Sequence, residues 1–167
     1  MKNIEIKTPL RDRPAAERRL EGMGARNLWT KVQKDTFFRV ERGWLKLREA
    51  DETKPELISY SRSTEYSGPR ESNYDVMPLS DAETWKRLLG RVLPVDKVVR
   101  KERTLWVYEH TRVHLDRVDT LGDYLELETV VMDIDPDEAK QESERIIFAL
   151  ALEPREFISV PYRDLMG

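Results

Sequence analysis

Charged or polar residues recur at every second position in five short segments of the chain, with apolar residues between them. Glu126 and Glu128, for example, alternate with Leu125 and Leu127. The five sets are Asn3, Glu5 and Lys7; Lys46 and Arg48; Lys101 and Arg103; Arg112, His114 and Asp116; and Glu126 and Glu128. Because successive side chains of a β-strand point to opposite faces, each segment would carry its charges on one face.

These residue types suit the binding of a polyanion together with a divalent metal. Lysine and arginine bind phosphate oxygens through charge-assisted hydrogen bonds. Clustered carboxylates in a chain with no cysteine and two histidines suit Mg²⁺ or Mn²⁺. The candidate cations are Lys7, Lys46, Arg48, Arg62, Arg70, Lys101, Arg103 and Arg112, and the candidate carboxylates are Glu5, Asp116, Glu126 and Glu128. A triphosphate with its metal would satisfy both sets at once.

One alternating strand is typical of any sheet with a solvent-exposed face, so the pattern has to be considered across the chain. Helices packed against the sheet need an apolar surface to cover, and the Ile, Leu and Val residues between the charges would form it. The charged faces would then point inward. Because a buried ion loses several kcal/mol of solvation, such an interior persists only if its charges are compensated or a ligand completes them.

Three segments have the signals of α-helices. The first would start after Asp12 and end at the glycines of residues 22–24, the second would open with a capping box at Ser80, and the third would start after Asp135. Their apolar stripes are Leu20 in the first, Trp85, Leu88, Leu89 and Val92 in the second, and Ala139, Ile146, Ile147 and Leu150 in the third. We expect these helices to cover the outside of the sheet.

The remaining sequence alternates with period two and predicts eight strands. They lie at about 3–8, 33–41, 44–49, 56–62, 71–77, 97–108, 111–118 and 123–131. With three helices, this pattern predicts one α+β domain over residues 1–167, a closed, eight-stranded, mainly antiparallel β-barrel with its helices packed outside.

Composition limits the classes of partner. Of 167 residues 37% are charged, yet the formal net charge is only −3, which argues against broad electrostatic binding to nucleic acid or to an anionic membrane. No stretch approaches eighteen uncharged apolar residues, and the N-terminus does not have the pattern of a secretory signal. We therefore expect a soluble, cytoplasmic protein. The oligomeric state stays open, a homodimer included.

The order of the motifs along the chain resembles a known family. The motifs are Asn3-Ile4-Glu5-Ile6-Lys7, Gln33-Lys34-Asp35-Thr36-Phe37-Phe38, Trp44-Leu45-Lys46-Leu47-Arg48, Val99-Arg100-Lys101-Glu102-Arg103, His114-Leu115-Asp116-Arg117-Val118, Glu126-Leu127-Glu128 and Ser159-Val160-Pro161-Tyr162. This succession resembles the CYTH superfamily, the triphosphate tunnel metalloenzymes, which includes class IV adenylyl cyclases, thiamine triphosphatases and inorganic tripolyphosphatases. The first motif is similar to the ExExK motif of that family.

The resemblance implies a role for each of these residues. It implies that Glu5, Lys7 and Glu128 are catalytic and that Mg²⁺ or Mn²⁺ is the cofactor. The implied metal ligands are Glu5, Glu126 and Glu128, with Asp116 as a further ligand or a neighbour of the ligands. The residues implied to hold phosphate oxygens are Lys7, Lys46, Arg48, Lys101 and Arg103, with Arg62 and Arg70 as additions.

Two positions depart from the family pattern. Asn3 occupies the first acidic position of the ExExK motif, which removes one carboxylate from the predicted interior, although an amide oxygen can still coordinate a metal. Arg62 stands where the family usually carries a lysine, and a shift of register by one residue would turn it outward.

Several alternatives stay open at this level. The first choice of activity is hydrolysis of inorganic tripolyphosphate, thiamine triphosphate or a nucleoside triphosphate; the others are adenylyl cyclase and a non-catalytic module that binds polyphosphate or nucleotide. His114 is either a hydrogen-bonding neighbour or a general base. Tyr162 belongs to a segment that the family uses near the tunnel mouth, for gating or packing. The aromatic residues Phe37, Phe38, Trp44, Trp85 and Trp106 either pack or form a platform for a nucleobase.

Overall fold

The alternating segments form eight antiparallel strands that close into a barrel, as predicted. The computed structural model describes residues 2–62, 69–132 and 134–167, without the side chains of Arg62 and Arg70. The strands are β1 (Lys2–Pro9), β2 (Arg26–Phe38), β3 (Trp44–Ala50), β4 (Glu56–Arg62), β5 (Arg70–Pro78), β6 (Val95–Tyr108), β7 (Thr111–Val118) and β8 (Gly122–Val130). Around the barrel they follow the order β1-β5-β4-β3-β2-β6-β7-β8.

In the described residues, three helices cover the outside of this barrel, and a short fourth helix lies at one of its ends. They are α1 (Arg13–Met23), α2 (Ala82–Gly90), α3 (Pro136–Ala149) and the short α4 (Tyr162–Leu165), with one 3₁₀ turn at Pro154–Glu156. α1 and α3 have the predicted caps: the side chain of Asp12 accepts a hydrogen bond from the Ala15 amide, and that of Asp135 accepts one from the Asp137 amide. None of the described helices has the length and apolar character needed to cross a bilayer.

Most apolar residues of the strands point outward, toward these helices, while a smaller apolar cluster that includes Phe37, Ile58 and Val99 lines part of the cavity. The largest buried apolar cluster joins residues of the outer barrel wall to residues of α1 and α3, and it consists of Ile6, Ala16, Leu20, Trp106, Val113, Leu115, Leu125, Leu127, Ile146 and Leu150. A second cluster of Phe38, Leu47 and Leu79 packs beneath Trp85 and Leu89 of α2. The main core therefore lies between helices and barrel, which leaves the other face of each strand for the interior.

Some predicted boundaries were wrong. β2 begins at Arg26 instead of residue 33, because its first half pairs along β6 with an irregularity between Asn27 and Trp29. It ends at Phe38, before a turn in which Gly43 has a φ of +66°. A β-carbon at Gly43 would also lie 2.8 Å from the Tyr60 carbonyl oxygen, so only glycine fits there.

The second helix differs in its details. Asp81, not Ser80, is its N-cap, and the Asp81 side chain accepts a hydrogen bond from the Thr84 amide. The helix ends at Gly90, so Val92 lies beyond it and is exposed, as is Leu88. Only Trp85 and Leu89 of the predicted stripe pack on the barrel. The α4 helix and the 3₁₀ turn were not predicted.

Candidate functional site: a charged cavity inside the barrel

The barrel encloses a cavity of about 350 Å³ that is lined by residues from all eight strands. The cations of its described lining are Lys7, Lys31, Lys46, Arg48, Lys101, Arg103 and Arg112; the carboxylates are Glu5, Asp35, Glu56, Glu126 and Glu128. The predicted charged faces therefore point into the barrel. Cations outnumber carboxylates by seven to five on the described surface of this cavity.

One side of the cavity, which we call the basic wall, consists of Asp35 on β2 with Lys46 and Arg48 on β3. The two strands place Asp35 directly opposite Arg48. Arg48 donates from Nε to Asp35 Oδ1 and from Nη2 to Oδ2, both at 2.8 Å, and Lys46 Nζ donates to Oδ2 at 2.8 Å. Burial raises the pKa of Asp35, but Arg48 and Lys46 reverse that shift and hold its pKa well below the usual value. One carboxylate thus fixes two cations that point into the cavity.

Asp35 was missing from the predicted site. Its side chain is buried, and it lies on the same strand face as Gln33 and Phe37, which also line the cavity. The alternation used for the other strands would have found it, because Asp35 follows Gln33 by two positions.

The cations of the cavity are crowded. Burial, together with the nearby charges of Arg48 and Lys101, lowers the pKa of Lys46 from 10.5 to about 7, although Asp35 acts in the opposite direction. Burial and the charge of Arg103 likewise lower the pKa of Lys101. A bound polyanion would bring negative charge to these lysines and favour their protonated forms.

The side chain of Arg103 is held in place by a buried carboxylate, that of Asp116. Asp116 is fully buried and does not line the cavity. Arg103 donates from Nε to Asp116 Oδ1 at 2.6 Å and from Nη2 to Oδ2 at 2.5 Å, and Arg103 also pairs with Glu126. The hydroxyl of Tyr162 donates to Asp116 Oδ2 at 2.8 Å, and Lys101 Nζ lies 3.4 Å from the same atom. Asp116 therefore has both oxygens occupied by protein donors.

The opposite side of the cavity, which we call the carboxylate wall, consists of Glu5 on β1 with Glu126 and Glu128 on β8. The register places Glu5 directly opposite Glu128, and Lys7 directly opposite Glu126. Like charges at directly opposed positions destabilise a sheet unless a cation lies between or beside them. Lys7 Nζ lies 3.2 Å from Glu126 Oε1, so the third carboxylate of this wall is paired with a cation.

Neighbours on β7 favour the ionised form of Glu128. Arg112 Nη2 lies 3.0 Å from Glu128 Oε2, and His114 Nε2 lies 3.4 Å from the same oxygen. Burial raises the pKa of Glu128, but His114 and Arg112 outweigh it and hold the pKa well below its usual value. Burial, reinforced by Arg103, lowers the pKa of His114 below 6.5, so the imidazole is neutral at pH 7.

The carboxylate wall fits a hard divalent cation that also binds substrate. Within residues 2–62, 69–132 and 134–167, no three Asp, Glu or His side chains are close enough to form a complete cage. Mg²⁺ usually needs no such cage, since it binds one or two carboxylates together with substrate phosphates and water. Asn3 Oδ1 supplies one further oxygen: it is buried in the cavity lining and has no hydrogen-bond partner among the described residues. These oxygen donors suit Mg²⁺ or Mn²⁺.

The C-terminal segment closes one end of the barrel. Pro161 and Tyr162 line the cavity, and Tyr162 is buried. Lys7 Nζ donates to the Val160 carbonyl at 3.0 Å and lies 4.1 Å from the centre of the Tyr162 ring, while Lys101 Nζ lies 5.0 Å from it. The two lysines thus stack on a ring that seals this end. The resemblance implied a position near the tunnel mouth for Tyr162, whereas the ring lies at the end of the cavity that the C-terminal segment closes.

The other end of the cavity is open. Its lining residues are half-buried or exposed, in contrast to the buried residues near Tyr162, and they include Trp29, Lys31, Ala50, Thr53, Glu56 and Arg112. A ligand would therefore enter on this side.

The structure brings together most of the predicted site residues. Glu5, Lys7, Lys46, Arg48, Lys101, Arg103, Glu126 and Glu128 all line the cavity. The side chains of Arg62 and Arg70 lie outside the described part of the protein. Sequence reasoning missed Lys31 and Glu56 as well as Asp35, because Lys31 falls in the unpredicted half of β2 and Glu56 begins a strand with few charges.

Among the aromatic residues singled out from the sequence, Phe38, Trp85 and Trp106 pack in the apolar clusters outside the barrel. Phe37 lines the cavity near its closed end. Trp44 stacks on Tyr60, with ring centres 5.3 Å apart.

A closed antiparallel barrel with a charged interior, a basic wall and a carboxylate wall defines a tunnel built for an anionic ligand. The chain belongs to the CYTH domain family, whose model matches residues 1–155. It is similar to a Methanocaldococcus jannaschii protein named as a candidate adenylate cyclase, with 25% identity over 100% of this chain and 99% of the relative.

Solved structures share the fold. The PH1012 protein from Pyrococcus horikoshii superposes with a TM-score of 0.85 at 23% identity, covering 99% of each chain. A Hippeastrum protein, named as a candidate adenylyl cyclase and described as having a dominant triphosphatase activity, superposes with a TM-score of 0.61 at 17% identity, covering 95% of this chain and 90% of that one.

Proposed function

We propose that this protein is a metal-dependent enzyme that hydrolyses a triphosphate inside the barrel. The observation that carries this proposal is the convergence of buried cations on one cavity, where Lys7, Lys101 and Arg103 expose only 4%, 3% and 3% of their surface. Buried cations in excess of carboxylates are costly without an anionic ligand, and the lowered pKa of Lys46 reflects that cost. A triphosphate has enough charge and length to contact both ends of the set.

In this proposal the basic wall binds phosphate oxygens. Arg48 and Lys46 approach from β3, and Arg103 and Lys101 from β6, so the phosphate chain lies between the two pairs. Asp35 and Asp116 position these cations through hydrogen bonds, which leaves the guanidinium and ammonium groups preorganised. Preorganised donors stabilise the charge that develops on phosphate oxygens during transfer, and they need no reorganisation as it develops.

This assignment gives Asp116 a positioning role and leaves metal binding to Glu5, Glu126 and Glu128. Both oxygens of Asp116 already accept hydrogen bonds from Arg103 and Tyr162, and the side chain does not reach the cavity. Lys7 lies between the Tyr162 ring and Glu126, where it could contact the terminal phosphate.

Mg²⁺ or Mn²⁺ at the carboxylate wall would neutralise phosphate charge and lower the pKa of bound water. In the reaction, the oxygen of water would bond to the terminal phosphorus and the bridging P–O bond would break. The rest of the phosphate chain would leave with the bridging oxygen, and the water would give up a proton as orthophosphate forms. Because His114 is neutral and beside Glu128, it could accept a proton there, which keeps the general-base role open.

Adenylyl cyclase activity is a second candidate, since the M. jannaschii relative is named as a candidate adenylate cyclase and matches this chain over its whole length. The same cations would then hold the triphosphate of ATP, the ribose 3′-hydroxyl would attack the α-phosphorus, and pyrophosphate would leave. A binding module without turnover is the third, because Asn3 removes a carboxylate from the cavity.

One experiment separates the three. The protein is incubated with Mg²⁺ or Mn²⁺ and with tripolyphosphate, thiamine triphosphate or ATP, while orthophosphate, pyrophosphate, cyclic AMP and melting temperature are measured. Orthophosphate release supports the hydrolase, pyrophosphate with cyclic AMP supports the cyclase, and a raised melting temperature without products supports the module. If no triphosphate raises the melting temperature or reacts, all three proposals are wrong.

A further inference from the structure

The open end of the cavity carries an aromatic ring that phosphate binding does not require. Trp29 lies on the inward face of β2, directly opposite Leu105 of β6. We call Trp29 and Leu105 the entrance shelf. One step further into the tunnel, Arg103 lies opposite Lys31, so the shelf adjoins the phosphate-binding cations.

Trp29 has no evident packing role in the core. Within the described residues, the three buried apolar clusters and the residues packed against them do not include it. The other tryptophans, Trp44, Trp85 and Trp106, each belong to or pack on one of those clusters. A half-buried indole that lines a cavity without supporting the core is free to contact a ligand.

The charges around Trp29 restrict what that ligand can be. Lys31 Nζ lies 5.6 Å from the centre of the Trp29 ring, within the range of a cation–π contact. A positively charged ring placed on Trp29 would meet the ammonium of Lys31, whereas an uncharged heteroaromatic ring would not be repelled. Stacking on tryptophan suits any uncharged nucleobase, since every base presents a π-face.

We propose that the entrance shelf binds the base of a nucleoside triphosphate whose phosphates lie deeper in the tunnel. The inference rests on the proposed function, because it needs the triphosphate to be held by the basic wall. It also narrows the substrate class. A nucleoside triphosphate gains a stacking contact with Trp29, whereas inorganic tripolyphosphate has no ring to make that contact. The cationic thiazolium ring of thiamine triphosphate would be repelled by the ammonium group of Lys31.

The test compares Trp29→Leu with the unchanged protein in binding to ATP and to tripolyphosphate. Dissociation constants are measured by calorimetry with EDTA present, so that no turnover occurs. Loss of one base-stacking contact weakens binding by about 5- to 150-fold, so Trp29→Leu should weaken ATP binding by at least about fivefold. Tripolyphosphate binding should change by less than about twofold, since that ligand makes no ring contact.

Two further variants exclude a general effect on folding. Trp29→Phe keeps an aromatic face and should restore most of the affinity for ATP, while Leu28→Ala changes an exposed neighbour and should leave both ligands unaffected. Lys31→Gln should raise the affinity for thiamine triphosphate relative to ATP. Equal losses for ATP and tripolyphosphate in Trp29→Leu, or no loss for ATP, would overturn the inference.

The outcome also separates this inference from the proposed function. If tripolyphosphate binds the unchanged protein and Trp29→Leu treats both ligands alike, the entrance shelf is wrong and the phosphate site stands. If neither ligand binds the unchanged protein, either with EDTA or with Mg²⁺ added, the phosphate site is wrong and the inference falls with it.

Discussion

The two walls of the tunnel handle charge in opposite ways. On the basic wall, the single carboxylate of Asp35 accepts three hydrogen bonds from two cationic side chains, those of Lys46 and Arg48. With both side chains protonated, this wall has a net positive charge. On the carboxylate wall, Glu5 and Glu128 face each other across two strands, and their neighbours compensate them from the side. The comparison teaches that neither wall is complete by itself: one lacks an anion and the other has room for a cation.

The largest expected effect comes from neutralising the carboxylate wall. Glu128→Gln keeps the shape of the side chain but removes the charge that would bind metal, so metal-dependent turnover should fall by about 1,000-fold. Orthophosphate release with Mg²⁺ or Mn²⁺ measures this. Glu102→Gln, an exposed position on β6, is the matched control and should stay active. Full activity in Glu128→Gln would mean that this wall does not bind the catalytic metal.

The next largest effect is expected from removing the buried carboxylate that pairs with Arg103. Asp116→Asn removes the carboxylate that pairs with Arg103 and Lys101, which leaves buried positive charge without its partner. Breaking a buried ion pair on one side costs about 3 kcal/mol or more in free energy of unfolding, measured by urea denaturation.

The control for Asp116 is an exposed ion pair between β7 and β8. Asp123 lies 3.0 Å from Arg117, whose side chain is 62% exposed, so Asp123→Asn should cost less than about 1 kcal/mol. If the two variants lose the same small amount of stability, Asp116 is not the support of the cationic side of the tunnel.

A smaller effect is expected from the basic wall. Arg48→Ala removes a guanidinium that would contact phosphate, and hydrogen bonds to charged groups contribute about 2 kcal/mol, so tripolyphosphate should bind about 30-fold more weakly. Calorimetry without metal measures this loss. Arg100→Ala, at an exposed position of β6, should bind normally. Unchanged affinity in Arg48→Ala would show that the phosphates lie elsewhere.

The smallest effect is a dependence of binding on pH. In the free protein Lys46 has a pKa of about 7, so it loses its proton as pH rises from 6 to 8, and only the protonated form attracts phosphate. Affinity for tripolyphosphate should therefore fall over this window, by at most about tenfold per pH unit for one proton. Lys46→Arg stays charged and should bind with a flatter profile. Because the ligand titrates equally in both experiments, identical profiles would exclude Lys46 as the group responsible.

The same lysine affects stability in a defined direction. Between pH 7 and 10.5 the unfolded chain keeps the proton on Lys46 while the folded chain releases it. The contribution of Lys46 to the free energy of unfolding therefore rises with pH across this window.

Most of the barrel and of its charged interior could be predicted from the sequence. Pairs such as Glu5 and Lys7, or Glu126 and Glu128, are two positions apart in the sequence. In a strand, residues at this spacing lie on the same face whatever the distant residues are. The N-caps Asp12 and Asp135 were also local signals, whereas Asp81, and not the predicted Ser80, caps the second helix.

Other features depended on distant partners. The early start of β2 depends on pairing with β6, which lies some seventy residues further along the chain, so Trp29 and Lys31 were not recognised as part of the tunnel. The roles of Asp35 and Asp116 depend on which cation lies opposite each of them. The closing of one end by Tyr162 depends on contacts with Lys7, Lys101 and Asp116 from three separate strands.

The sequence by itself determined that charged and apolar side chains would lie on opposite faces of eight strands, because the two-residue period of a strand is a local property of the backbone. Only the tertiary structure decided how the charges pair, which end of the tunnel is open and which aromatic ring stands at its entrance. Those features follow from barrel closure, which brings residues far apart in the chain within a few ångströms and gives each buried charge its neighbours.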